Sequence, residues 1–383
     1  MTFSWLQRFE QIQSALLCTV EPSPDDDKAY VMRQYHRLLS PISWHVGHCV
    51  YVEALWIGGI LAGDYALAKE LEATYRPEYV PKSDRQDIFE SPEQLFVWAQ
   101  KRMAEHLELL RSVGCSSAGV SPKYITEFLI NHHAQHRETI EMVRAARSRE
   151  NLGDVLENFV SIKPEKGSFS LKSIPDGEYE IGTTGGFSFD NESPRHSVNL
   201  KSFKVAELPV SNSQFLAFVE GGGYGNRMLW STFGWDWKLK VSAEAPRSWR
   251  RNTDGGWSVQ HLFGPKSAAD DAAVAGVTYY EASAFALWAG FRLLHEYEWE
   301  VAAKTNLISS RGKIWEWCSN VFHPYHGFSP YTYPEYSMPW FDQRHYVLRG
   351  GSLYTEIEMR RTSFRNYYVA DTDYLPSGIR VAK

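Results

Sequence analysis

The chain has 383 residues, of which 43% are hydrophobic, 14% aromatic and 22% charged, with a formal net charge of −6 at neutral pH. That length predicts two or three domains with ordinary cores. The lack of a basic excess argues against nucleic acid as a partner. No apolar run reaches the roughly 18 residues of a membrane span, and the opening MTFSWLQRFEQ lacks the apolar segment of a secretory signal. The four cysteines, Cys18, Cys49, Cys115 and Cys318, form no close pair, so a reduced cytoplasmic setting is expected.

In chain order, the first 150 residues or so read as helical. Glycine is sparse and apolar residues recur at helical spacing from Trp5 to Leu17, Tyr30 to Leu39, Trp44 to Leu61, Ser91 onward and Tyr124 to Arg147. Ser91 is placed to cap a helix with Pro92 in its first turn. Four long helices joined by loops predict an up-down bundle. The stretch ENFVSIKPEKGSFS reads as a linker. Beyond Gly167 the texture changes to short apolar pieces with dense Gly, Trp, Tyr and Pro, and YYEASAFALWAGF stands out as a helix. The expected class is α+β multidomain: residues 1–155 a helical bundle, 156–170 a linker, 171–383 an irregular mixed domain.

Two histidine clusters carry the chemistry. In NHHAQHRETI, His132 and His136 are four apart and share one helix face. In SWHVGH, His45 and His48 lie on another predicted helix. Bundle metal sites are built from facing helices, and three imidazoles leave the open positions of a catalytic metal. Alone, a His-x3-His pair is more often a polar helix face than a metal site. If His132 and His136 face a metal, His133 faces elsewhere as scaffold, and His45 likewise if His48 is the ligand. Glu138 fits either an acceptor for a ligand N–H or a surface carboxylate beside Arg137 or Arg144. The glycine-rich VLRGGS and GGGY lack phosphate-loop spacing and read as turns.

The segments IPDGEYEIG, FDNESPRHSVNLKSFKVAELPVSNSQFLAFVEGGGY, GVTYYEASAFALWAGFRLLHEYEWEVAA, GKIWEWCSN and VLRGGS…SFRN…SGIRVAK resemble successive blocks of the formylglycine-generating-enzyme (sulfatase-modifying factor) domain. That resemblance implies a C-type-lectin-like α+β fold with little regular structure. One block departs from the family, with Leu294 and His295 where Pro and Thr are usual, and a local change is expected there. Cys318 has no second cysteine after it, which argues against formylglycine chemistry. The N-terminal half resembles a DinB-type four-helix bundle, through WHVGH and HHAQHRE. Together the two halves resemble the EgtB-type non-haem iron sulfoxide synthases of the ergothioneine, ovothiol and selenoneine families.

The resemblance implies an Fe(II) enzyme that uses O2 to join a thiol sulfur to an imidazole carbon of a histidine betaine such as hercynine. Residue by residue, His48, His132 and His136 match the iron ligands, and Gln135 a contact to the substrate imidazole. Tyr333 matches a proton donor, with Tyr331 its competitor for the register, and Tyr336 an imidazole contact. Asn366 matches a residue beside the trimethylammonium group. Tyr367 falls at an aromatic wall, which Tyr368 and tryptophans could extend into a cage for the cation. Arg85 lies where a thiol carboxylate is held. Tyr368 and Thr372 stand where γ-glutamylcysteine-using members carry an Asp and an Arg, which leaves cysteine, another thiol or a selenium donor open. A selenoneine synthase, a DinB-type metal-dependent thiol transferase and a non-catalytic binding module are the alternatives. A monomer or small homo-oligomer with small-molecule partners, and neither nucleic acid nor membrane, is expected.

Overall fold

The computed structural model describes residues 4–22, 28–86, 88–112, 120–151, 159–165, 168–260, 271–331 and 334–383. The chain divides into two compact units, Met1–Glu150 and Asn151–Lys383.

The first unit is helical: α1 (Trp5–Leu17), α2 (Ile42–Glu53), α3 (Ala66–Tyr75), α4 (Pro92–Ser112) and α5 (Pro122–Asn151). Ser4 and Gln7 form a capping box at the start of α1. Helix α2 is buried along its whole length, as expected of a helix apolar on nearly every face. A π-helical segment, Ala54–Leu61, continues it directly. Gly47 permits a close approach, since a Cβ there would lie 2.2 Å from the Tyr75 ring at the end of α3.

Two sequence expectations change here. The stretch Tyr30–Leu39 is not a helix. A short 3-10 turn, Lys28–Met32, gives way to turns, where side chains compete with the backbone pattern. Gln34 Nε2 donates to the Leu39 carbonyl at 3.0 Å, and the Leu38 amide donates to His36 Nδ1 at 3.3 Å. Helix α3 was not anticipated, yet it supplies two acceptors to the site.

The second unit is mixed. Strands β2 (Leu171–Ile174), β5 (Phe203–Ala206), β13 (Val381–Ala382) and β8 (Arg292–Leu293) form one sheet. Strands β11 (Asn366–Val369), β10 (His345–Arg349), β9 (Trp315–Val321) and β12 (Ser377–Gly378) form another. Strands β3 (Gly177–Ile181) and β4 (His196–Leu200) pair with each other, and β1 (Phe159–Ile162), β7 (Trp257–Gln260) and β6 (Trp249–Arg251) complete the set. Among the described residues, helices α6 (Asn212–Glu220), α7 (Thr232–Val241), α8 (Tyr279–Trp288) and α9 (Glu296–Lys304) sit between them.

With few long strands, buried arginines satisfy much of the loop backbone. Arg349 donates to the carbonyls of Thr362, Ser363 and Phe364. It also donates to Glu296, Glu300 and the Tyr325 hydroxyl. Arg365 takes Glu296 bidentately at 2.8 Å on both arms and fixes the residue just before Asn366. At the departing block, His295 caps α9: its Nδ1 accepts from the Tyr297 amide at 3.2 Å, and Glu298 accepts from the His295 amide at 2.8 Å. A histidine nitrogen thus does the capping work of a threonine oxygen.

Candidate metal centre

Helix α2 presents His45 and His48, and α5 presents His132, His133 and His136. Ligand nitrogens of His48, His132 and His136 all lie within 4.8 Å of one another. The structure therefore brings together His132 and His136, which share a face by spacing, and His48, which the family resemblance singled out.

Each imidazole is held from behind. His48 Nδ1 donates to the Tyr75 carbonyl at 2.7 Å, and Trp44 Nε1 donates to the Thr74 carbonyl at 3.1 Å. These are last-turn carbonyls of α3, which lack helical partners of their own. The Trp44 indole stacks on the His48 ring with centroids 4.8 Å apart and planes 11° apart. His132 Nδ1 lies 3.2 Å from His133 Nδ1, and His136 Nδ1 lies 2.9 Å from His45 Nδ1. Behind His133, its Nε2 meets Glu53 Oε1 at 2.7 Å.

The electrostatics favour neutral rings. Burial lowers His48 to about 4 against the opposing pull of the Tyr75 carbonyl, and lowers His45 to about 3 with His48 adding to it. Burial and then the neighbouring imidazoles drive His132 and His136 well below the ordinary value. Neutral imidazole is the form that ligates a metal. Because its Nδ1–H is spent on Tyr75, His48 keeps a lone pair on Nε2, and this nitrogen is 3.3 Å from His132 Nε2. Two nitrogens bound to one metal at about 2.0–2.1 Å stand roughly 3.0–3.4 Å apart. The donor set fits a mononuclear metal with open positions.

The other expected residues fall into three groups. Gln135 is half-buried on α5 beside the two ligand candidates, and its carbonyl accepts from Thr139 Oγ1 at 3.0 Å. Arg85 is buried and spends Nε on the Val80 carbonyl, Nη1 on Ser40 Oγ and Nη2 on the carbonyls of Pro77 and Val80. Its guanidinium also lies 3.9 Å over the Trp44 ring, so most of its fork serves the loop that follows α3. Tyr333 lies outside the described residues.

In the second unit, Tyr336 stacks on Phe189 at 3.8 Å, and the Tyr367 hydroxyl donates to the Tyr336 carbonyl. Asn366 and Tyr367 are neighbours on β11, and strand alternation turns them to opposite faces. Tyr367 stacks at 4.2 Å on Phe322 and packs against the core, whereas Asn366 shares its face with Tyr368. A single wall built from Tyr367 and Tyr368 together is therefore not what β11 offers. Thr372 is buried with its hydroxyl unpaired. Burial raises the Cys318 thiol well above its ordinary value, which keeps it from acting as a thiolate.

Sequence reasoning missed Glu53, Tyr75 and the backing roles of His133 and His45. Glu53 carried a visible signal: a lone carboxylate in the apolar run CVYVEALWIGG, a type almost never fully buried unless paired. Glu53 is a buried carboxylate joined to the histidines, one histidine removed from His132. Glu138 is buried on α5 as well.

The model of the sulfatase-modifying factor enzyme 1-like domain matches residues 163–310 and 304–383. The chain belongs to that family. Beyond the domain, the chain is 29% identical to the hercynine oxygenase of Mycolicibacterium thermoresistibile over 94% of its own length and 90% of the relative's. It is 28% identical to the hercynine oxygenase of Mycolicibacterium smegmatis over 93% and 94%. Ergothioneine biosynthesis protein 1 of Schizosaccharomyces pombe is 27% identical over 51% of this chain and 28% of its own. Matches that run through the helical unit as well as the family domain place the chain in the EgtB-type branch. Its α+β multidomain class agrees with the structure. Among the described residues, no helix is long and apolar enough to cross a membrane.

Proposed function

We propose that this chain is an iron(II)- and O2-dependent sulfoxide synthase that joins a thiol sulfur to the imidazole of a histidine betaine such as hercynine. The observation that carries the reading is the buried face of three imidazoles on two helices, His48, His132 and His136, in a chain whose full-length relatives are hercynine oxygenases. The names of those relatives do not favour the selenium-donor or thiol-transferase alternatives.

The stoichiometry balances without a further reductant. A thiol S–H and an imidazole C–H are lost, a C–S bond and an S=O bond form, and O2 supplies the sulfoxide oxygen and one water. Imidazole donors suit iron, zinc, copper and nickel alike, so the choice of iron rests on the oxidative reaction. Iron(II), when bound, supplies O2 activation. The protein's own part is to hold three neutral imidazoles in fixed orientation. Gln135 is proposed as a contact to the substrate imidazole. Tyr336, Asn366 and Tyr367 are proposed as substrate contacts, Arg85 as a contact to the thiol substrate and Tyr333 as proton donor, all on family resemblance.

The test is direct. Purify without oxygen, load Fe(II), add hercynine with a panel of thiols and selenium donors, and follow O2 uptake and products by mass spectrometry. Sulfoxide formation with at least one thiol is expected. No O2 consumption with any donor overturns the reading, and a selenium product alone redirects it to C–Se bond formation.

A further inference from the structure

We propose that Glu53 is a positioning residue for the metal centre: the anionic end of a hydrogen-bonded chain, through His133, that keeps His132 in the tautomer a metal requires. This rests on the iron reading above and adds a residue which that reading does not use.

The logic runs outward from the metal. For His132 to offer the Nε2 lone pair, its proton must sit on Nδ1, and that proton needs an acceptor. The acceptor in place is His133 Nδ1, 3.2 Å away. With Nδ1 accepting, the His133 proton sits on Nε2 and needs an acceptor in turn. Glu53 Oε1 is there at 2.7 Å. An ionised carboxylate only accepts, so the chain ends at Glu53 and every proton in it has one direction. Although burial opposes ionisation of Glu53, its hydrogen bonds to His106 and His133 outweigh it and hold the carboxyl below its ordinary range.

The rest of the carboxylate is spoken for. Oε2 accepts from His106 Nδ1 at 2.9 Å and Gln13 Nε2 at 3.0 Å. Through these partners Glu53, on α2, is tied to α5, α4 and α1, so the group that orients His132 is anchored to each of the other long helices. A carboxylate removed from water is strongly destabilising unless paired and hydrogen-bonded. His136 provides the contrast. Its Nδ1 also backs onto a histidine, His45, but His45 Nε2 is buried with no hydrogen-bond partner. His48 is fixed by the Tyr75 carbonyl instead. Behind His132, by contrast, the chain ends on a carboxylate.

The variant Glu53→Gln offers one acceptor and one donor where two acceptors are needed. Anaerobic Fe(II) titration against a competing chelator should show affinity weakened about 10–100-fold, and the visible spectrum of the Co(II)-substituted protein should shift. His133→Leu leaves Glu53 in place but cuts the chain, and should give the same weakening; the double variant should be no worse than either single one. His106→Gln breaks the other arm and should leave affinity within threefold and the Co(II) spectrum unchanged. A folded Glu53→Gln with wild-type affinity and spectrum overturns the proposal. If Glu53→Gln does not fold, wild-type affinity in His133→Leu overturns it. A wild-type chain that binds Co(II) but not Fe(II) loses the iron reading while the Glu53 comparison still decides; one that binds neither sinks both.

Discussion

The Trp44 indole lies nearly parallel to the His48 imidazole, centroids 4.8 Å apart, while its own N–H is tied to the Thr74 carbonyl. One side chain thus packs a ligand candidate and pins α2 to the last turn of α3. Trp44→Phe retains an aromatic surface and loses the hydrogen bond, at about 1 kcal/mol. Trp44→Ala removes both and is expected to cost about 3–5 kcal/mol. Denaturant unfolding of the two variants measures the difference. Fe(II) affinity should fall markedly only in Trp44→Ala, where His48 loses the surface that fixes its plane.

The two α5 ligand candidates should behave differently from the histidine between them. His132→Ala or His136→Ala removes a donor and should abolish stoichiometric iron after anaerobic loading. His133→Ala removes only the backing of His132 and should weaken binding without abolishing it. Iron content and chelator competition read this directly. Equal loss in all three variants would mean that His133 is itself a donor. In the loaded wild type, free Fe(II) at a hundred times its dissociation constant should add about 2.7 kcal/mol of stability, reversed by a chelator.

The shared face of the ligand candidates His132 and His136 was legible because helical periodicity converts a four-residue spacing into one face, while His48 was singled out by the family resemblance. What backed those ligands was not. Tyr75 contributes a carbonyl, which has no sequence signature, from a helix of only ten residues. Glu53 was legible in principle, as a charge in an apolar run, but its partners Gln13, His106 and His133 sit on three other helices and no local spacing connects them. In the second unit the family blocks located Asn366 and Tyr367, while their opposition across β11 required knowing that the segment is a strand. The role of His295 as a helix cap likewise follows only once α9 begins at Glu296.

The buried pair Glu296 and Arg365 gives the second unit an acid-labile core. Burial alone would raise the Glu296 pKa, yet Arg365 and Arg349 outweigh it and bring it down from 4.5 to about 2. A carboxylate depressed in the folded state contributes stability that is present above its unfolded value and lost as pH falls through the folded one. The second unit should therefore lose stability between about pH 4.5 and 2, followed by denaturant titration at stepped pH. Glu296→Gln should flatten that dependence. It should also cost about 3–5 kcal/mol at neutral pH, because Arg349 and Arg365 are left buried without the charge they share.

His295 tests whether a histidine can stand in for the usual cap. Its Nδ1 accepts the Tyr297 amide while Glu298 closes the box from the other side. His295→Thr restores an oxygen cap and should change stability by less than about 0.5 kcal/mol, whereas His295→Ala should cost about 0.5–2 kcal/mol. If His295→Ala is neutral in thermal unfolding, the cap is supplied by Glu298 alone.

The two neighbours on β11 should separate substrate binding from folding. Asn366 lies on the face of β11 opposite Tyr367, across from Leu348, and its Oδ1 accepts the adjacent Tyr367 amide at 3.0 Å. Asn366→Ala should leave the unfolding midpoint nearly unchanged and raise the KM for the betaine about tenfold, with little change in kcat, as expected when a binding contact common to ground and transition states is lost. Tyr367 packs on Phe322 and ties its hydroxyl to the Tyr336 carbonyl. Tyr367→Ala should destabilise the second unit by about 2 kcal/mol or more, and Tyr367→Phe by about 1 kcal/mol through loss of the hydrogen bond. Steady-state kinetics beside chemical unfolding decide the matter: a KM effect in Tyr367→Phe at unchanged stability would show that Tyr367, rather than Asn366, meets the substrate.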